Sequence, residues 1–139
     1  MTNIIASGGL FVAKDTKRFL FLLRNQGKTA GTWGLVGGKV EEAETPAMAL
    51  IREIEEEIGL VQYNKIIPLE LFTSEDQHFS YNTYVIIVDK EFIPVLNDEH
   101  VGYAWCKYGQ WPKPLHQGVK RSLSNKTNRT KIELLLDII

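Results

Sequence analysis

A chain of 139 residues, 44% apolar and 24% charged, is long enough to bury one core without covalent staples. Its formal net charge of -1 exerts no general pull on nucleic acid or an anionic membrane. The one cysteine, Cys106, excludes an internal disulfide, and apolar runs such as Val85 to Val88 are far too short to span a bilayer. With no basic start followed by an apolar leader, a single domain over residues 1–139 is expected, in a reducing, cytoplasmic setting.

The first half reads as strand, turn, strand. Ile4–Val12 is apolar but carries Gly8-Gly9, which predicts a bulge or a close approach of other backbone. Asp15-Thr16-Lys17 reads as a turn, Arg18–Leu23 as an apolar strand, and Asn25–Gly31 as a polar loop. After the segment Trp33–Val40 comes the clearest helix. Thr45 can cap its start, Pro46 suits its first position, and Gly59 suits a left-handed stop. Ala47, Leu50, Ile51, Ile54 and Ile58 recur at helical spacing as one apolar stripe. Strands are expected again over Ile66–Phe72, Phe79–Val88 and Val101–Lys107. A final helix is marked by the pair Thr130 and Glu133, with Ile132, Leu135, Leu136 and Ile139 on one face. Several strands broken by a middle helix and closed by a last one suggest an α/β or α+β sandwich. A parallel wound sheet would need helices between most strands.

Glu53, Glu56 and Glu57 stand at i, i+3 and i+4, so their carboxylates share one side of the middle helix, flanking the apolar stripe. Like charges at this spacing repel, and Glu55 adds to the crowding. Such a face is either solvated or holds cations. Hard oxygen ligands packed this way suit Mg²⁺ or Mn²⁺.

The surrounding segment decides between the two. From Gly38 the chain runs GKVEEAETPAMALIREIEEEIGL, which resembles the box of the Nudix hydrolase family at Gly38, Glu44, Arg52, Glu53, Ile54, Glu56, Glu57, Gly59 and Leu60. Nine such matches coincide by chance about once in ten million chains of this size. The resemblance implies a Nudix-type α/β/α sandwich, a mixed sheet with the box helix and a C-terminal helix packed on it. It implies a hydrolase that cleaves the phosphoanhydride bond of a nucleoside diphosphate linked to another group, such as a (d)NTP or a nucleotide sugar. Mg²⁺ or Mn²⁺ would be held by Glu53, Glu56 and Glu57, with the backbone carbonyl of Gly37. Arg52 would orient the carboxylates by pairing with Glu56 and with Glu44. Family members differ in the general base, so Glu53 and Glu99 both stand as candidates, with Glu75 and Asp76 behind them. The chain departs from many members at Val36, where proline is common, which bears on loop geometry and removes no ligand.

The box does not name the substrate. A proline associated with ADP-ribose and a tyrosine associated with dinucleoside polyphosphates are both missing from their expected places near Ser74–Asp76. Arg24 is the residue carried forward for substrate binding. Trp33, Phe79, Tyr81 and Tyr84 could stack a base but fit sheet packing better, and His78, His100 and His116 read as surface or packing residues. From Lys113 to Lys131 six cations occur without an acid, which reads as a solvated helix and loop rather than a nucleic-acid patch. A small nucleotide is the expected partner, with no membrane and no nucleic acid, while exposed sheet edges would allow a homodimer. A catalytically silent nucleotide-binding module on the same fold is the alternative. Such modules commonly lose box carboxylates, which are intact here. An isomerase on this fold would need more, typically a cysteine, and Cys106 sits in an expected strand.

Overall fold

A computed structural model describes residues 3–139. At its centre is β1 (Ile4–Ala13), whose alternate residues feed two different cores: Leu10 and Val12 on one face, Phe11 and Ala13 on the other. A strand covered on both sides must be apolar along its length, which is why this segment does not alternate with polar residues. It runs parallel to β6 (Phe79–Val88), and β6 is antiparallel to β5 (Lys65–Thr73). The β5 ladder slips between Pro68 and Glu70, where proline has no N–H to donate.

On its other edge β1 changes partner. Val12 pairs with Phe19 of β2 (Arg18–Arg24), whereas Ala6–Gly9 pair with Val36–Lys39, which form β4. β3 (Trp33–Gly34) and β7 (His100–Lys107) both lie against β2, completing a mixed seven-stranded sheet. One face carries α1 (Pro46–Ile58) through Leu50, Ile54 and Ile58. The other carries α2 (Gln117–Ser124) and α3 (Lys126–Ile138) through Val119, Leu123 and Ile132. The expected α+β sandwich is the fold observed. No helix among the described residues is long and apolar enough to cross a membrane.

Several local expectations need correction. Gly8 and Gly9 do not bulge, and the close approach of backbone is what is observed: a Cβ on Gly37 of β4 would stand 2.7 Å from the Gly8 Cα. Side chains fill the space above them, Tyr81 over Gly8 and Ile86 with Leu50 over Gly9. Gly59 has φ +90° but an extended ψ of -169°, so α1 ends without a left-handed cap. The final helix starts at Lys126, capped by Asn125 Oδ1 accepting from the Asn128 N–H at 3.0 Å, and Thr130 lies inside it. Ahead of it α2 is capped by an imidazole: His116 Nδ1 accepts from the Gly118 N–H at 3.1 Å.

Burial, then the nearby Arg24 and Arg121, depress the His116 pKa. Protonation would also remove the acceptor that caps α2. The neutral imidazole therefore contributes stability that is complete above the ordinary histidine pKa and lost as pH falls through the lower native value. In thermal melts from pH 7 to pH 5, the contribution of His116 to the Tm, taken as wild type minus His116→Ala, should fall. His116→Asn, which keeps a capping acceptor, should lessen that fall. His116→Ala should cost about 1 kcal/mol at pH 7.

Candidate active site

The site begins where β4 meets β1. Gly37 lies so close to that strand that a Cβ on it would stand 2.1 Å from the Ser7 carbonyl oxygen. At Gly38 a Cβ would stand 2.7 Å from the Glu53 carboxyl carbon. A side chain at Gly37 would strike backbone and one at Gly38 would displace the Glu53 carboxylate, so with glycine at both positions α1 can press its acidic side directly onto backbone. Thr45 Oγ1 accepts from the Met48 N–H at 3.1 Å and sets the start of α1, with Pro46 at its first position as the sequence predicts.

The burial of α1 differs from the expected stripe. Ile51 is 44% exposed, whereas Glu57 is only 3% exposed and takes a place among Leu50, Ile54 and Ile58. Glu57 Oε1 accepts from the Gly37 N–H at 3.0 Å. Its pKa is raised far above the usual carboxylate range, first by burial and then by the neighbouring Glu53 and the charge of Glu99. Among the described residues no ion pair reaches it. A buried carboxylate facing two other acids is electrostatically incomplete.

Arg52 compensates the other acids. Its guanidinium meets Glu44 in a two-point contact at 2.8 and 3.1 Å, Glu53 at 2.8 Å, Glu56 at 3.3 Å and the Lys39 carbonyl at 3.1 Å. These acids hold the arginine firmly protonated, Glu44 most of all. Glu44 is depressed in turn by Arg52 and by the Glu41 N–H. The pairs expected of Arg52 with Glu44 and Glu56 are thus present, and Glu53 joins them. Glu56 is turned outward, so among the described residues no three His, Cys, Asp or Glu side chains meet closely enough to hold an ion as they stand. The donor set nevertheless fits a hard divalent cation: carboxylate oxygens of Glu53 and Glu57 crowd together on glycine backbone without a positive partner for Glu57.

Glu99 stands in the loop before β7, where the Asn97 N–H donates to the Glu57 carbonyl at 3.2 Å and brings this loop over the end of α1. The Asn97 side chain donates to Glu99 at 3.3 Å. By contrast, Asp76 is taken up in the β5–β6 turn by Ser74 and the His78 N–H, which also lower its pKa. Arg24, at the end of β2, donates to Thr29 Oγ1 at 2.7 Å, and its charge helps to lower the pKa of both His100 and His116.

Two residues gain importance that sequence reading did not assign. Tyr81 was weighed as a stacking ring, yet its hydroxyl lies over Gly8, with a pKa pushed up to about 12 by burial and by Glu57 and held back by Arg24. Ser7 is wholly buried and its hydroxyl has no partner among the described residues. The sequence signal for Ser7 is a hydroxyl in an otherwise apolar strand, and Tyr81, among Ser80, Asn82 and Thr83, has none. Trp33 and Tyr84 pack against the two cores, as expected of sheet residues.

The NUDIX domain family model matches residues 4–125. An 8-oxo-dGTP diphosphatase of Haemophilus influenzae is 42% identical over 74 residues, which cover 53% of this chain and 47% of that one. Another, from Proteus vulgaris, is 28% identical over 102 residues, covering 72% and 91%. The chain spans less than half the length of the Haemophilus relative, and 45% of two further relatives from Mycobacterium tuberculosis. Among solved structures, a MutT NUDIX hydrolase from Burkholderia pseudomallei superposes with a TM-score of 0.76 at 26% identity, covering 91% of this chain and 99% of the other.

The strained state of Glu57 has a measurable consequence. Its native pKa exceeds its unfolded one, so the native state binds more protons and stability falls as pH rises from the ordinary carboxylate pKa through the raised native value. In EDTA, the Tm of the wild-type protein should fall between pH 5 and pH 8. Glu57→Gln should flatten that fall and raise the Tm at pH 8 by roughly 3 °C or more. A Gln variant less stable than wild type at pH 8 would contradict the account of this carboxylate.

Proposed function

The chain belongs to the Nudix family, and on that premise we propose that it hydrolyses a phosphoanhydride bond in a nucleoside diphosphate bearing a further group. The observation that carries the reading is the buried Glu57 carboxylate, set against Glu53 and Glu99 with no cationic partner among the described residues. A divalent cation at that point would complete the site. Nudix hydrolases generally need such a metal, and Mg²⁺ or Mn²⁺ is proposed here. The first substrate class to consider is a (d)NTP, since relatives bear the names 8-oxo-dGTP diphosphatase and CTP pyrophosphohydrolase. Nucleotide sugars come second.

Glu53, Glu56 and Glu57 are the proposed ligands, with the Gly37 carbonyl. When bound, the cation supplies Lewis acidity and neutralises phosphate charge, so that an anionic substrate can be attacked by water. Glu53 or Glu99 takes the proton of the attacking water, as general base. Arg52 bridges Glu44, Glu53 and Glu56 and limits their repulsion. Arg24 is proposed to meet the substrate, from the end of β2 opposite the acidic helix. Residues 1–139 are proposed to act as one catalytic domain in the cytoplasm, and β5, at the end of the strand order, is the edge through which two copies could pair.

A substrate panel tests this directly. The dNTPs, 8-oxo-dGTP, CTP, ADP-ribose and nucleotide sugars would be incubated with Mg²⁺, with Mn²⁺ and with EDTA. The expected result is cleavage of one class to a nucleoside monophosphate, abolished by EDTA. Glu53→Gln, Glu56→Gln and Glu57→Gln should each lower kcat by about 10²–10⁴-fold with circular dichroism unchanged. Full activity in the Glu56 or Glu57 variant would remove the acidic helix from the mechanism. Nucleotide binding without cleavage of any compound would instead make the chain a silent binding module.

A further inference from the structure

We infer that Ser7 is a positioning residue for Glu53, its hydroxyl being the donor that holds the Glu53 carboxylate once a divalent cation draws that group away from Arg52. The inference rests on the metal site proposed above. It starts from an orphan: Ser7 is 0% exposed and its Oγ has no hydrogen-bond partner among the described residues. A buried hydroxyl left unpaired is costly, and native proteins rarely keep one without a use for it.

Strand alternation settles where this hydroxyl points. Gly8 faces Tyr81 on the α2 side, whereas a Cβ on Gly9 would meet Leu50 of α1 at 3.3 Å. Ser7, two residues before Gly9, therefore faces α1. It pairs in register with Gly38 of β4, and the space where Gly38 lacks a Cβ is filled by the Glu53 carboxylate at 2.7 Å. Directly opposed residues place their Cβ positions about 4.5–5.5 Å apart. The Ser7 hydroxyl thus stands within a small side-chain shift of the Glu53 carboxylate. Across β6 its other polar neighbour is Asn82, whose amide donates to the Ala6 carbonyl at 3.4 Å.

Glu53 Oε1 is held by Arg52 at 2.8 Å in this structure. A cation on Glu53 competes with that guanidinium for the same negative charge. A serine hydroxyl does not compete, because it is neutral and a carboxylate has lone pairs to spare. Groups that orient ligands from behind in this way commonly tune metal affinity.

The test uses Mn²⁺ titration of the full chain without nucleotide, followed by electron paramagnetic resonance, with parallel melts in EDTA. Ser7→Ala should weaken Mn²⁺ binding about tenfold. Its Tm in EDTA should equal or exceed that of wild type, since the lost hydroxyl has no partner there. Its kcat should fall while the KM for nucleotide stays unchanged. Asn82→Ala should bind Mn²⁺ as wild type does. Undiminished Mn²⁺ affinity in Ser7→Ala overturns the inference alone, as does an equal loss in Asn82→Ala or a lower Tm for Ser7→Ala in EDTA. A wild-type chain that binds no Mn²⁺ overturns the metal site as well.

Discussion

The approach of α1 to the seam between β1 and β4 governs the rest of the molecule. Of two consecutive glycines, Gly37 lets β4 close onto the backbone of β1, and Gly38 leaves the space that the Glu53 carboxylate of α1 fills. The helix is anchored at one end by the Thr45 cap and along its length by Leu50, Ile54 and Ile58. Once those contacts are made, the remaining side of the helix has no choice of neighbour. Glu53 lands on Gly38 and Glu57 on the Gly37 N–H. The acids are thus placed by packing on the same helix, not by attraction between them. Their mutual repulsion is tolerated because the apolar contacts outweigh it.

How much repulsion is tolerated depends on Arg52. It meets four glutamates at once, of which Glu44 comes from the loop before the helix. A planar guanidinium can serve several carboxylates, which a lysine ammonium could not do with the same geometry. Yet Arg52 does not reach Glu57. The one acid that is truly buried is the one left without a counter-charge among the described residues. A fold optimised for stability alone would place leucine or glutamine there. Keeping an ionisable group in that position makes sense if something positive arrives later, and stability and chemistry are then in opposition at this residue.

The parts of this arrangement differ in how legible they are in the sequence. α1 could be read almost to the residue, because its cap, its first proline and its periodic apolar positions are all local signals. The β-strands were readable too, since runs such as FLFLL and YVIIV are confined between turn residues. Burial of Glu57 in place of Ile51 could not be read. Helical spacing puts the two residues on opposite flanks of the Leu50–Ile54–Ile58 stripe, each about 60° from its centre, and only the packing against β4 tells which flank is pressed inward. The start of α3 was missed for a different reason. Thr130 and Glu133 make a capping pair on paper, but Asn125 caps first, and its competing signal lies in a polar stretch with little apolar rhythm. The histidine cap of α2 leaves no sequence mark, because histidine has no strong preference for that position.

The same distinction separates the acidic helix from the groups gathered around it. The acidic helix, its arginine and its glycines fall within about twenty residues of chain, so one local pattern can encode them and be recognised. The groups on the opposite side are assembled from afar: Arg24 from β2, Tyr81 from β6, Glu99 from the loop before β7, and His116 from the start of α2. They interact through charge across the fold, as the influence of Arg24 on Tyr81, His100 and His116 shows. No short stretch of sequence records that meeting. Each of these residues can change without disturbing α1, because none of them carries the contacts that hold the helix to the sheet. The fold therefore leaves the acidic helix fixed while the groups gathered around it are free to vary, and a reading of the box alone stops at the proposed bond cleavage without naming a substrate.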